Sequence, residues 1–324
     1  MTQLVSRSTI IVGIIISIGA VIVLGILFLP QLFGIHVGYN ICVQDKYAFV
    51  SNNDGVVIYD ITTPRNARRI SRINIHNGAR GIVLNNDLAY IAGPNEGLVI
   101  VNISDIESPR IISSTTITHG AFKLRVEESL AYVAMYGAGF EIWNVSDPTS
   151  PYKVGSYSDT GEIYGSDIAI KGNYAYYSVL QSGLKVVDLT DPSSPQFIRT
   201  VTNTIGAWDI HIHGNMLYLG CHWMGVRIFN ISNPASPSVI STYTKTNGEA
   251  WGVSGNATHL NVADLHQGTY TLHVTDPHHP QEIAHNPNAA PHDIWRDDEK
   301  VFLADQDREL IILDSNLNIL YTAY

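Results

Sequence analysis

The chain has 324 residues, 45% hydrophobic and 15% charged, and its 29 acidic side chains outnumber 19 basic ones to give a formal net charge of -10. That acid excess argues against nucleic acid and anionic lipid surfaces as partners, because both need a basic footprint. The only cysteines, Cys42 and Cys221, fall in repeats that should lie far apart, so both read as small buried hydrophobes rather than as a disulfide.

The first element is the run from Thr9 to Pro30, which carries no charged residue. A bilayer core takes about 20 apolar residues as a helix, whereas the apolar part of a cleaved secretory signal usually runs only about 7 to 15. Residues 1–34 are therefore expected to be a transmembrane signal anchor, with a cleaved leader as the alternative. Arg7 precedes the run and the next basic residue is Lys46, so the positive-inside rule points the remainder out of the cytoplasm. The expectation is a single-pass protein of the cell membrane with residues 35–324 extracytoplasmic.

Those residues are dominated by one repeated stretch. Gly183-Leu-Lys-Val-Val-Asp-Leu-Thr-Asp-Pro-Ser-Ser-Pro195 has counterparts starting at Gly55, Gly97, Gly139, Gly225 and Gly268, and a degenerate one at Glu309. Steps of 41 to 44 residues mark a repeat architecture. Apolar residues alternate at a period of two, which is a strand and not a helix. Asn53-Asp-Gly55 is a hairpin signal before the strand. The Asp or Asn that ends each strand (Asp60, Asn102, Asn144, Asp188, Asn230) makes Asx turns, and Asp-Pro-x-x-Pro then removes ladder donors. Asn102, Asn144, Asn230 and Asn256 also begin N-glycosylation acceptor triplets, the first three at that turn position.

Each unit divides into four strands, in the second unit Arg80 to Asn85, Leu88 to Ala92, Leu98 to Ile103 and Arg110 to Ile117. Four strands per repeat and no helical segment predict an all-β, seven-bladed propeller over 35–324, with blades near 37–77, 78–119, 120–161, 162–204, 205–246, 247–287 and 288–324. No strand is left over to complete the last blade, so closure should rest on apolar packing of blade 1 against blade 7. The Gly-Leu-x-Val-x-Asp-[Leu/Ile]-[Ser/Thr]-Asp-Pro-x-x-Pro pattern, preceded by Ala-Tyr strands such as Leu88-Ala-Tyr-Ile-Ala, resembles the LVIVD repeat family from residue 37 to the end. The resemblance implies a seven-bladed propeller in a surface or exported bacterial or archaeal protein that binds or scaffolds. It carries over no catalytic residue. Blade 6 departs from the pattern at Thr269 and Thr271, and blade 7 lacks both the glycine and the Asp-Pro.

In a propeller the loops entering the inner strands and the hairpins between strands two and three share the face where ligands usually bind. That places Tyr39, Arg80, Phe122, Tyr136, Tyr164, Asp167, Trp208, Asp209, Trp223, Glu249, His292 and Asp293 on a candidate rim. Trp208 and Trp223 are the better candidates for ligand contact, and Trp251 reads as buried between blades. Asp167, Asp209 and Asp293 each precede Ile, and repeated placement suggests a repeated structural task, a carboxylate capping backbone donors at the strand start. The alternative is a metal cluster of Asp209, His222, Asp264, His266, His292, Asp293 and Asp305, whose mixed imidazole and carboxylate donors would suit a divalent metal such as zinc, manganese or iron. His211 and His213 read as inter-blade packing or surface residues, and the Asp-Pro turns as solvated.

The chain has no Gly-x-Ser-x-Gly elbow, no phosphate-cradling loop, no Cys-x-x-Cys and no His-Glu-x-x-His. The expected function is a membrane-anchored extracytoplasmic propeller that binds protein or carbohydrate through its channel mouth. A metal-dependent hydrolase or lyase, with Asp209 or Asp293 as base, is the alternative.

Overall fold

The computed structural model describes residues 38–158 and 165–323. The span expected over residues 9–30, and Tyr164 of the expected rim, lie outside the described residues. Among these, seven four-stranded antiparallel sheets follow one another along the chain, each built from consecutive strands. Their inner strands are Asn40–Gln44, Gly81–Asn85, Ala121–Glu127, Gly165–Lys171, Ile210–His213, Ala250–Gly255 and Pro291–Arg296. Each inner strand touches that of the next blade, and the seventh touches the first, so the ring closes. The molecule is the expected seven-bladed propeller.

The period-two pattern has a specific meaning here. Leu98, Val99, Ile100 and Val101 on the third strand of blade 2 are all essentially inaccessible. Val99 and Val101 pack toward blade 1, beside Val56 and Ile58, while Leu98 and Ile100 pack toward blade 3, beside Val133 and Met135. Alternation therefore sorts side chains between two neighbouring blades, not between core and solvent. Burial of each such side chain contributes about 1.5–3 kcal/mol. In every blade the outermost strand slips by one residue against its partner, as at Ile100/Val101 in blade 2. Such bulges twist an exposed edge away from further pairing.

The hairpin glycines are required by the backbone. Gly97 lies at φ +74°, and a Cβ there would press on the carbonyl oxygen of Thr115. The Asx turns form as expected: Asp60 Oδ1 accepts from Thr62 N at 2.9 Å and Asn102 Oδ1 from Ser104 N at 2.9 Å. The following turn is more than solvated. Outer-strand serines reach across to its carbonyls in the next blade, Ser71 Oγ to Ile106 O at 2.5 Å, Ser113 Oγ to Pro148 O at 2.7 Å and Ser241 Oγ to Pro277 O at 2.6 Å. At these three seams the most regular part of the repeat is thus an inter-blade latch.

The departures in blades 6 and 7 have partners. Asn261 Nδ2 donates to Thr271 Oγ1 at 2.8 Å and Arg296 Nη1 from blade 7 donates to Asn261 Oδ1 at 2.7 Å, so polar residues replace apolar ones as a set. At the seam, Ile41, Val50, Val57 and Tyr59 of blade 1 form one apolar cluster with Phe302, Leu310 and Ile312 of blade 7, as expected. Polar bonds supplement it: Gly38 N donates to Asp305 O at 3.0 Å, and Glu309, standing where other blades have glycine, accepts from Asn52 and Tyr59.

Candidate ligand face at the channel mouth

Two successive positions at the entry to the inner strands build the site. The outer of them reads Tyr39, Arg80, Phe122, Ser166, Trp208, Trp251 and His292 from blade 1 to blade 7. Blades 3, 4, 6 and 7 carry a register shift at this point of the inner strand. A bulge re-aims side chains, and such irregularities are common beside functional sites.

The rings of this position form a nearly continuous collar. Phe122 meets Trp208 edge-on at 5.6 Å, Trp208 meets Trp251 at 4.8 Å, Trp251 meets His292 at 5.3 Å and His292 stacks on Tyr39 at 5.8 Å. The Arg80 guanidinium then covers the Tyr39 ring at 3.7 Å. Tyr136 lies 6.1 Å from Phe122. Trp208, expected to be open to a ligand, is only 4% exposed because His222 and Trp251 cover it; Trp251 is 5% exposed, as expected. Trp223 is 60% exposed, and Ile205, which the sequence reading passed over, is 52% exposed on the loop entering the same blade.

The next position inward reads Asn40, Gly81, Lys123, Asp167, Asp209, Gly252 and Asp293. Its carboxylates reach beyond their own strands. Asp167 Oδ2 accepts from Ile210 N at 3.0 Å, Asp209 Oδ2 from Val253 N at 2.8 Å and Asp293 Oδ2 from Ile41 N at 3.0 Å, each in the following blade. Asn40 Oδ1 does the same to Ile82 N at 2.8 Å. The structural reading of the three aspartates was right in kind and wrong in direction: they stitch blade to blade. Their charge is met across the channel. Lys123 Nζ pairs with Asp209 and lies 3.5 Å from Asp293, and Arg125 Nη2 lies 3.1 Å from Asp167 Oδ2.

Burial is the leading influence on all of these groups. It pushes Asp167 up to about 6 despite Arg125, and raises Asp293 as well. Burial alone would raise Asp209 too, but Lys123 holds it below the usual carboxylate range. Burial also pushes the thiols of Cys42 and Cys221 up to about 11 and about 12, so neither is a reactive thiolate, and both are free.

The seven residues of the expected metal cluster are not brought together, and among the described residues no three His, Cys, Asp or Glu side chains group to hold an ion. Asp209 and Asp293 are spent on backbone donors and Lys123, which also removes them as a free catalytic base. Asp264 Oδ1 accepts from His266 N and Gln267 N, and Asp305 Oδ1 from Asp307 N and Arg308 N, both closing hairpins. His292 Nδ1 donates to Gly38 O at 3.0 Å. His211 Nε2 bonds Gly255 O of blade 6 at 2.7 Å, the inter-blade role expected of it.

His222 and His266 instead share Glu249. Its Oε1 lies 3.0 Å from His222 Nδ1 and its Oε2 3.0 Å from His266 Nε2. Burial tends to raise this carboxyl, and the two imidazoles outweigh it and hold it below its usual range. His222 is 3% exposed, occupies a left-handed backbone conformation at φ +38°, and stacks on Trp251 at 4.7 Å. Nothing local in the sequence marks this trio, because its members come from two hairpin tips and a loop.

Comparison with known proteins agrees with the geometry. Among solved structures, the Cps50 (Swd1) β-propeller domain of Myceliophteria thermophila is similar with a TM-score of 0.69 and 11% identity, over 87% of this chain and 98% of that one. The computationally designed Ika8 protein is similar with a TM-score of 0.63 and 9% identity, over 85% and 82%. Identities this low speak for the fold alone. No curated protein matches the chain. The LVIVD repeat model matches residues 38–67, 78–116, 121–159, 164–203 and 206–245, stopping where blades 6 and 7 depart from the pattern. With the same four-stranded unit continuing through those two blades, the chain belongs to the LVIVD repeat family.

Proposed function

We propose that this protein is an interaction module that holds a protein or glycan partner on its channel-mouth face, tethered to the cell membrane by residues 9–30 with the propeller outside. The observation that carries the reading is the collar of Tyr39, Phe122, Trp208, Trp251 and His292, crowned by an indole, Trp223, left 60% exposed. Exposed tryptophan on a rigid aromatic base is the usual chemistry of an anchor in a partner's pocket or of a platform for a sugar ring. Below the collar, Lys123 and Arg125 fill the channel with paired charge, which supports a surface that binds at the mouth and not a pore.

The test is to probe peptide and glycan arrays with the full chain in detergent, alongside Trp223→Ala and Phe197→Ala. Phe197 is also exposed, at 51%, but on an outermost strand. Binding that is lost with Trp223→Ala and kept with Phe197→Ala is the expected result. Binding that survives Trp223→Ala, or disappears with Phe197→Ala alone, would move the site off the mouth. Protease accessibility of a C-terminal tag in intact cells checks the topology.

A further inference from the structure

We infer that the blade 5 and 6 quarter of the mouth, between Glu249 and Trp223, is a subsite for an alkylammonium group of the lysine side-chain type, carried by a partner peptide. This rests on the mouth being the binding face. Three observations lead there. The Glu249 carboxylate is 21% exposed, and its neighbours are imidazoles: His222 and His266 orient it, while no lysine or arginine pairs with it among the described residues. Lys245, four residues earlier, is engaged by Glu282 at 2.9 Å instead. A carboxylate in a partly desolvated site attracts a cation much more strongly than one in water.

The second observation is an orphaned nitrogen. Nδ1 of His222 serves Glu249, and its Nε2 is buried with no partner. A buried polar atom without a partner is costly, and a ligand that hydrogen-bonds to it removes that cost. Third, the walls are aromatic. Trp208 and Trp251 flank His222 at 4.9 and 4.7 Å, and Trp223 stands edge-on to it at 5.7 Å. Indole faces attract ammonium groups and accept an apolar stem, and Trp223 is the open one at 60% exposure, so a carboxylate near an exposed indole describes a lysine side chain better than a neutral sugar. The chain's formal net charge of -10 favours the approach of a cationic partner.

The chain has five tryptophans, so 5-fluorotryptophan labelling gives five fluorine NMR lines. Trp143 and Trp295 lie away from the mouth, in strands Gly139–Asn144 and Pro291–Arg296, and serve as internal controls of folding. The full chain is titrated with N-acetyl-lysine methylamide, with glucosamine, with N-acetylglucosamine and with N-acetyl-alanine methylamide. The expected result is a saturable shift of the Trp223, Trp251 and Trp208 lines with the lysine probe alone, weakened at least about tenfold in Glu249→Gln, with the two control lines unmoved. Glucosamine acting in place of lysine overturns the peptide source. Equal shifts in wild type and Glu249→Gln overturn the ammonium subsite, as does a response to N-acetylglucosamine alone, although the mouth then survives as the binding face. Silence toward both amines also overturns the subsite, and the array result with Trp223→Ala then decides the wider reading separately.

Discussion

The Tyr59 hydroxyl donates to Glu309 Oε2 across the seam between blades 1 and 7, and Asn52 Nδ2 donates to the other oxygen of the same carboxylate. Burial raises the Tyr59 phenol, the carboxylate raises it further, and the proton stays on the donor. Glu309 takes the place that glycine holds in the other six blades, yet its backbone needs no positive φ. A lapse in the repeat thus adds a polar fastening to the apolar seam. Glu309→Gly, which restores the repeat's own residue, should cost about 2–3 kcal/mol in urea unfolding, as expected for losing hydrogen bonds to a buried charge. Tyr59→Phe should cost about 1 kcal/mol, and a double-mutant cycle should show coupling between the two. A Glu309→Gly variant as stable as the wild type would remove this role.

The channel charges make a second prediction. Lys123 is buried against two aspartates, and they overcome the desolvation that would otherwise lower its affinity for the proton. Removing one partner of such a group strands the others, at a cost of about 3–5 kcal/mol. Lys123→Met should therefore be among the most damaging single substitutions in the propeller. Adding Asp209→Asn to it should recover part of the loss, because an amide still accepts from Val253 N without a charge to compensate. Urea midpoints of the three variants test this; a double variant worse than Lys123→Met alone would count against the electrostatic account.

Blade number, strand order and the burial of Trp251 were legible because a 42-residue period repeats the same local chemistry. The channel was half legible. Asp167, Asp209 and Asp293 share a register with Lys123, which announces a common task, but a carboxylate on one strand end gives no sign of whether it serves its own strand or the next blade. The metal cluster failed because it pooled residues by face. Asp264 and Asp305 belong to hairpin turns, Asp209 and Asp293 to the channel, and only His222 and His266 converge, on a glutamate. Glu309 and the latching serines were visible as letters and silent as contacts, since their partners lie in another blade.

Asp167 gives the pH dependence. Its folded-state value lies near 6 against an ordinary 3.8, so the folded protein holds this proton more tightly than the unfolded chain. The stabilisation from that proton is complete below about pH 4 and is lost as pH rises through 6, with little further change above. At ~1.4 kcal/mol per pK unit, the two units are worth up to about 3 kcal/mol. Stability measured by urea at pH 4.5, 5.5, 6.5 and 7.5 should fall more across this window for the wild type than for Asp167→Asn. Parallel curves would assign the pH dependence elsewhere.

The outer latches can be separated from the channel by the same method. Ser71, Ser113 and Ser241 lie on different blades and each donates to a turn carbonyl of the next one, a neutral hydrogen bond worth about 1 kcal/mol. Because they share no partners, the alanine variants should add, so the triple variant loses about 3 kcal/mol. Blade 3 has already dispensed with the latch: Gly155 stands at the serine's place, and an added Cβ would collide with Pro192 O of the next turn. Gly155→Ser should therefore destabilise instead of adding a fourth latch. If Gly155→Ser stabilises while the serine variants are neutral, the turns hold the blades by backbone packing alone.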